Sequence, residues 1–204
     1  MANWASTSYA IEGPKETLQR IEEAILHHPV EKDSSDNWEG NILKALDIEW
    51  EPHHMEQEGN NIEFSGYYMR GFIQEEPWWD ERHDSLRFDA MEAWGATDFH
   101  EVLEKNIPDI KVFYVVEESG EEVYATNDKE GKYFKDRFFV DTCIDGNYQS
   151  EYFTYESSVY KWLHDITNGR VNSREEAEKF NADYEDSDAG DENYISIHEF
   201  SVIE

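Results

Sequence analysis

Of 204 residues, 48 are Asp or Glu and only 17 are Lys or Arg, a formal net charge of −31 at pH 7. Such a chain repels itself as it compacts. It folds only if its carboxylates stay in water while enough apolar surface remains to bury. Apolar residues make up 38%, below the ~45–50% usual for a soluble domain. Aromatic side chains compensate: 7 Trp, 12 Tyr and 11 Phe, each able to bury a large area. Disordered acidic chains are poor in aromatics, so the composition reads as a folded protein with acid on its surface. Lys (10) exceeds Arg (7), and Asn and Ile are plentiful, which argues against salt adaptation as the source of the acidity.

The same charge restricts partners. Contact with a phosphate needs a cation, and the field of the whole protein repels polyanions. Direct binding to nucleic acid or to an anionic membrane is therefore not expected. A basic protein is the expected partner: a nuclease, a nucleic-acid-binding protein or a toxin. The acid is not confined to a tail. It amounts to about −4 over 1–46, about −13 over 47–109 and about −14 over 110–204.

The length suits one large domain or two small ones. We read residues 1–204 as a single α+β domain. Cys143 is alone, so no intrachain disulfide is possible. It lies in the apolar run from Phe138 to Ile144 and reads as a small buried hydrophobe. The start shows no signal-peptide pattern, and no apolar stretch approaches the ~20 residues that span a bilayer. A cytoplasmic protein is expected.

Periodicity gives the elements. Residues 4–12 read as a strand, ended by Gly13-Pro14. Leu18, Ile21, Ala24 and Ile25 place an amphipathic helix over 15–28, closed by His27-His28-Pro29. A second helix is expected over 36–46, capped by Ser35 or Asp36. Residues 47–60 read as irregular, 61–69 as a strand and 75–82 as a loop. Leu86, Phe88, Ala90 and Glu92 alternate along a strand over 84–94. Thr97 or Asp98 caps a helix carrying Phe99, Val102 and Leu103. Residues 110–117 and 121–126 form a hairpin about Ser119-Gly120. Further strands are expected over 133–144 and 148–155. A helix opens at Ser157 or Ser158 and ends at Gly169. A polar helix over 173–181, an acidic loop over 183–193 and a last strand over 194–200, placed to pair centrally, complete the chain. Runs of strands and helices without a βαβ series give α+β with a mostly antiparallel sheet.

Several local patterns occur together: Asn3-Trp4 with a strand, Gly13 and a helix, Ala93-Trp94-Gly95-Ala96 before Phe99-His100, and Ile107-Pro108-Asp109-Ile110 before a strand and a Gly120 hairpin. In these the chain resembles the YubB-like proteins of phages and plasmids over about residues 1–126. The match weakens over 30–60 and lapses after 155. The resemblance implies a ferredoxin-like core over 1–126, with helices on one face of the sheet, a C-terminal extension over 127–204, and a mobile-element setting. It places Trp94 and Gly95 between a sheet strand and the helix packed over it. It transfers no catalytic residue.

Other constellations carry less. His27-His28 and His53-His54 lie near Glu56 and Glu58, but adjacent histidines diverge and no metal-ligand spacing follows. Residues 183–192 have the composition of a calcium loop without the EF-hand register. Paired carboxylates are too common here to mark an acid–base pair. No nucleophile elbow, phosphate loop or dinucleotide fingerprint is present. The sequence implies no cofactor and no metal. Trp78 and Trp79 stand out, beside Pro77 and flanked by Glu75, Glu76, Asp80 and Glu81. Either they plug the edge of the core or they form an aromatic anchor in an acidic rim. The stretch from Asp145 to Tyr152 could extend such a surface. The expected function is a non-enzymatic inhibitor of a basic nucleic-acid-binding or nuclease target, of the anti-restriction, anti-CRISPR or DNA-mimic kind. The alternatives are an immunity protein against a basic toxin, an enzyme with an unrecognised site, and a domain whose acidity serves solubility alone.

Overall fold

In the computed structural model, which describes residues 3–27, 38–58, 61–184 and 193–203, the chain divides into two units, Met1–Asp128 and Lys129–Glu204. Each has its own hydrophobic core. The fold class is α+β, with its strands mostly paired antiparallel.

The first unit is built on β1 (Trp4–Glu12), which lies between β6 (Ser85–Ala93) and β7 (Lys111–Glu118) and is antiparallel to both. The strand β8 (Val123–Thr126) pairs with β7, and β4 (Gly71–Ile73) pairs with the free side of β6. The order β7-β1-β6-β4, with helices between β1 and β4 and between β6 and β7, is that of a ferredoxin-like β-α-β-β-α-β core.

One parity of each strand faces the helices. Ala5, Tyr9 and Ile11 of β1, Leu86, Phe88 and Ala90 of β6, and Val112, Tyr114 and Val116 of β7 all enter one core. The helices α1 (Lys15–His27), α2 (Trp38–Ala45) and α3 (Phe99–Asn106) cover it. The α1 residues buried are Leu18, Ile21, Ala24 and Ile25, as their spacing predicts. Leu18 and Ile21, fully buried, each contribute about 1.5–3 kcal/mol. The expected end of α1 at His28-Pro29, and the caps Ser35 and Asp36 expected for α2, lie outside the described residues.

Several boundaries differ from the expectation. The acidic stretch read as irregular contains β2 (His54–Glu58), which pairs with β3 (Asn61–Ser65) in a separate two-stranded hairpin. Its sequence His-Met-Glu-Gln-Glu carries no apolar alternation to reveal it. The strand expected over 61–69 stops at Ser65 because Gly66 turns the chain with φ 79°, and a Cβ there would collide with the Pro52 carbonyl. The loop expected over 75–82 contains β5 (Trp78–Asp80), paired with β6. Asp98 stands before α3 as expected, but its Oδ2 accepts the Tyr68 N–H at 2.6 Å instead of capping the helix; the Thr97 hydroxyl, the other expected cap, accepts the Phe99 N–H at 3.4 Å.

In the second unit β9 (Phe138–Ile144) lies between β10 (Asn147–Phe153) and β11 (Tyr194–Glu199). The last long strand is therefore at the side of this sheet, not its centre. The helices α4 (Glu156–Ile166) and α5 (Arg174–Tyr184) pack on Phe138, Val140, Ile144 and Ile195. Tyr155, not Ser157 or Ser158, precedes α4, and it makes no side-chain cap bond. Gly169 ends that helix with φ 83°, its N–H reaching the His164 carbonyl at 2.8 Å. Cys143 is fully buried. Among the described residues no helix is long and apolar enough to cross a membrane.

Candidate partner-binding surface

Strand alternation separates the two adjacent tryptophans. On β5, Trp79 is opposite Leu86, and Trp78 and Asp80 are opposite Arg87 and Ser85. Trp79 thus shares the helix side of the sheet with Leu86 and packs against the core. Its indole N–H donates to Glu22 Oε1 of α1 at 2.9 Å. Trp78 points to the opposite face and is 41% exposed.

The carboxylates around them also divide. Asp80 is bound internally: its Oδ2 lies 2.8 Å from His83 Nδ1 and 3.4 Å from Arg87 Nη1. Its Oδ1 accepts the Arg82 N–H at 3.0 Å. The His83 hydrogen bond, opposed by partial burial and reinforced by the Arg82 N–H and the nearby positive charges, holds the Asp80 carboxyl below the usual range. Glu75 and Glu76, before β5, and Glu81, after it, are exposed. Of the six residues singled out, Trp78, Glu75, Glu76 and Glu81 are therefore open to a partner. Trp79 and Asp80 hold β5 in place.

Trp78 belongs to the sheet face turned away from the helices. Register puts Arg87 and Ala10 beside it, then Ser8 with Asp89, whose Oδ1 accepts the Ser8 hydroxyl at 2.6 Å. At the far end of this face Trp4 meets Phe72 edge-on at 5.4 Å.

A second acid site escaped the sequence reading. Glu92 continues the inward alternation of Leu86, Phe88 and Ala90, and is fully buried. Its Oε1 accepts the Tyr9 hydroxyl at 2.6 Å and the Thr97 hydroxyl at 3.0 Å. Glu39, in the first turn of α2, is fully buried beside it. Both Glu39 oxygens and Glu92 Oε2 lack a donor if both groups are ionised. A proton on Glu39, donated to Glu92 Oε2, satisfies two of these three oxygens. Burial first, then the Glu92 charge and the hydrogen bond to it, raise the Glu39 carboxyl well above the usual range. Burial and the same two acids raise the Tyr9 hydroxyl. Gly71 closes the site, since a Cβ there would collide with Glu39 Oε1 and Glu92 Cγ. The signal in the sequence was a glutamate at the fourth apolar position of a strand.

The stretch from Asp145 to Tyr152 lies in the second unit, along β10. There β9 turns Phe139, Asp141 and Cys143 away from the helices. Register places Tyr148 and Tyr194 on either side of Cys143, Ser150 and Ser196 beside Asp141, and Tyr152 and His198 beside Phe139. Phe139 lies 4.8 Å from the Tyr152 ring and 5.8 Å from the His198 ring. His198 Nε2 lies 3.0 Å from Asp141 Oδ1. Tyr148 is 70% and Tyr152 44% exposed.

Among the described residues, His27 and His54 make ordinary contacts. His27 lies 3.3 Å from Glu23 on the surface of α1, and His54 Nδ1 lies 2.8 Å from the Pro52 carbonyl. His28 and residues 185–192 of the calcium-like loop lie outside the described residues. Among the described residues no three His, Cys, Asp or Glu side chains converge as metal ligands.

Comparison with protein-family models, with curated proteins and with solved structures found no match for this chain.

Proposed function

We propose that this chain is a non-enzymatic inhibitor that occupies the nucleic-acid-binding surface of a basic protein, a nuclease or defence effector met by a mobile element. The observation that carries this reading is the charge of a folded, aromatic-rich chain. If every Lys and Arg were paired, 31 carboxylates would still lack a cation. The excess belongs to both units: residues 1–128 hold 30 acids and 9 cations, and residues 129–204 hold 18 and 8. Carboxylates spread over a rigid surface present a field like that of phosphates. They steer a basic partner and raise its on-rate. An exposed aromatic such as Trp78, between Glu75-Glu76 and Glu81, then supplies contact area that slows release.

The test is capture by the immobilised full chain from a lysate of its host, at about 0.05 M and about 0.5 M salt, followed by assay of the captured protein. The reading expects a basic nucleic-acid-binding protein, released by salt and inhibited by the free chain. A captured protein that keeps full activity with saturating inhibitor contradicts it.

A further inference from the structure

The outer face of the β10-β9-β11 sheet combines features that the charge excess alone does not require. It carries aromatic rings at both ends and one carboxylate, Asp141, in its middle row. No Lys or Arg stands among its register positions on the three strands. Asp141 is held in place by His198 Nε2 at 3.0 Å and by a hydrogen bond with Tyr194, yet its side chain keeps 31% exposure. An apolar partner laid on this face would strip water from that carboxylate without replacing it, which is costly. A cation removes the cost, and the rings beside it attract the same cation through their faces.

We propose that this face receives an arginine side chain of a basic protein, with Asp141 as the counter-charge and the exposed Tyr148 ring as the stacking surface. The proposal rests on the inhibitor reading above and names the group by which the partner is held. Arginine is preferred to lysine because its planar guanidinium stacks on rings and can hydrogen-bond a carboxylate at the same time. Lysine offers a compact, strongly hydrated charge. Tyr148, at 70% exposure, offers ring surface without a rearrangement of the core.

The experiment is titration of the full chain with two short peptides of equal charge, one bearing arginine and one lysine, followed by amide NMR shifts and calorimetry. Binding of the arginine peptide is expected to be several-fold tighter, with shifts centred on residues 139–152 and 194–198. Asp141→Asn is expected to weaken it about tenfold. Glu178→Gln, which removes the same charge from the exposed surface of α5, is expected to change it less than about twofold. Tyr148→Ala, at an exposed position that does not threaten folding, is expected to abolish the arginine preference. Equal affinity for both peptides, or equal effects of Asp141→Asn and Glu178→Gln, overturns the proposal. Shifts centred on residues 75–81 overturn it while leaving the inhibitor reading intact. Failure of both peptides to bind at low salt overturns both.

Discussion

At the scale of single residues, the least expected feature is the buried acid pair. Glu39 and Glu92 are both fully buried in a chain that could expose every carboxylate. A carboxyl raised above its unfolded value contributes its full stability below that value, about pH 4.3. It loses that contribution as pH rises through the folded value. The raised Glu39 therefore costs stability near neutral pH. Glu39→Gln is neutral at every pH, and its amide can still donate to Glu92. Thermal melts from about pH 4 to pH 8 are expected to show the variant more stable than the parent at pH 7 by about 1–3 kcal/mol. The gap should close towards pH 4. A parent more stable at pH 7 than at pH 4, with no gain from the substitution, contradicts the proton on Glu39. Asp80 has the opposite sign: its depressed carboxyl contributes stability above the unfolded value and loses it as acid protonates it.

At the scale of elements, legibility followed length and period. The helix α1 was readable because four apolar residues recur over a full face, and β6 because its alternation runs four positions. That alternation even placed Glu92 on the inward side, though nothing in it pointed to Glu39 as its neighbour. The strand β5 was hidden because three residues, two of them tryptophans, show no period. Once β5 pairs with β6, the pleat separates the two tryptophans: Trp79 packs on the core, and Trp78 is left exposed on the other face. Trp79→Ala should cost about 3 kcal/mol or more in denaturant melts, through lost packing and the lost bond to Glu22. Trp78→Ala should change stability by less than about 1 kcal/mol while weakening capture of the basic partner. Equal stability losses would mean that both rings serve the core. The caps were legible in part: Tyr155 stands before α4 in place of Ser157 or Ser158, whereas Asp98 does precede α3, its carboxylate engaged by Tyr68 while the Thr97 hydroxyl accepts the Phe99 N–H at 3.4 Å.

At the scale of the whole molecule, the charge bears on stability and, in the proposed function, on binding. Like charges at this density oppose compaction, and salt screens them over about 10 Å at 0.1 M. The free protein should therefore melt at a higher temperature as sodium chloride rises from about 0.02 M to about 0.5 M. An unchanged or falling midpoint would mean that local pairing already neutralises the surface. Binding should respond in the opposite sense, because the attraction being screened lies between molecules. Composition made this contrast legible without a structure. It could not show which carboxylates are withdrawn from the surface, as Glu39, Glu92 and the tethered Asp80 are.

The most direct measurement is competition between this protein and duplex DNA for the captured basic partner, repeated at several salt concentrations. The account predicts mutually exclusive binding, with the logarithm of the affinity falling steadily as the logarithm of salt rises. A ternary complex with DNA still bound, or an affinity independent of salt, would contradict the claim that these carboxylates stand where phosphates lie.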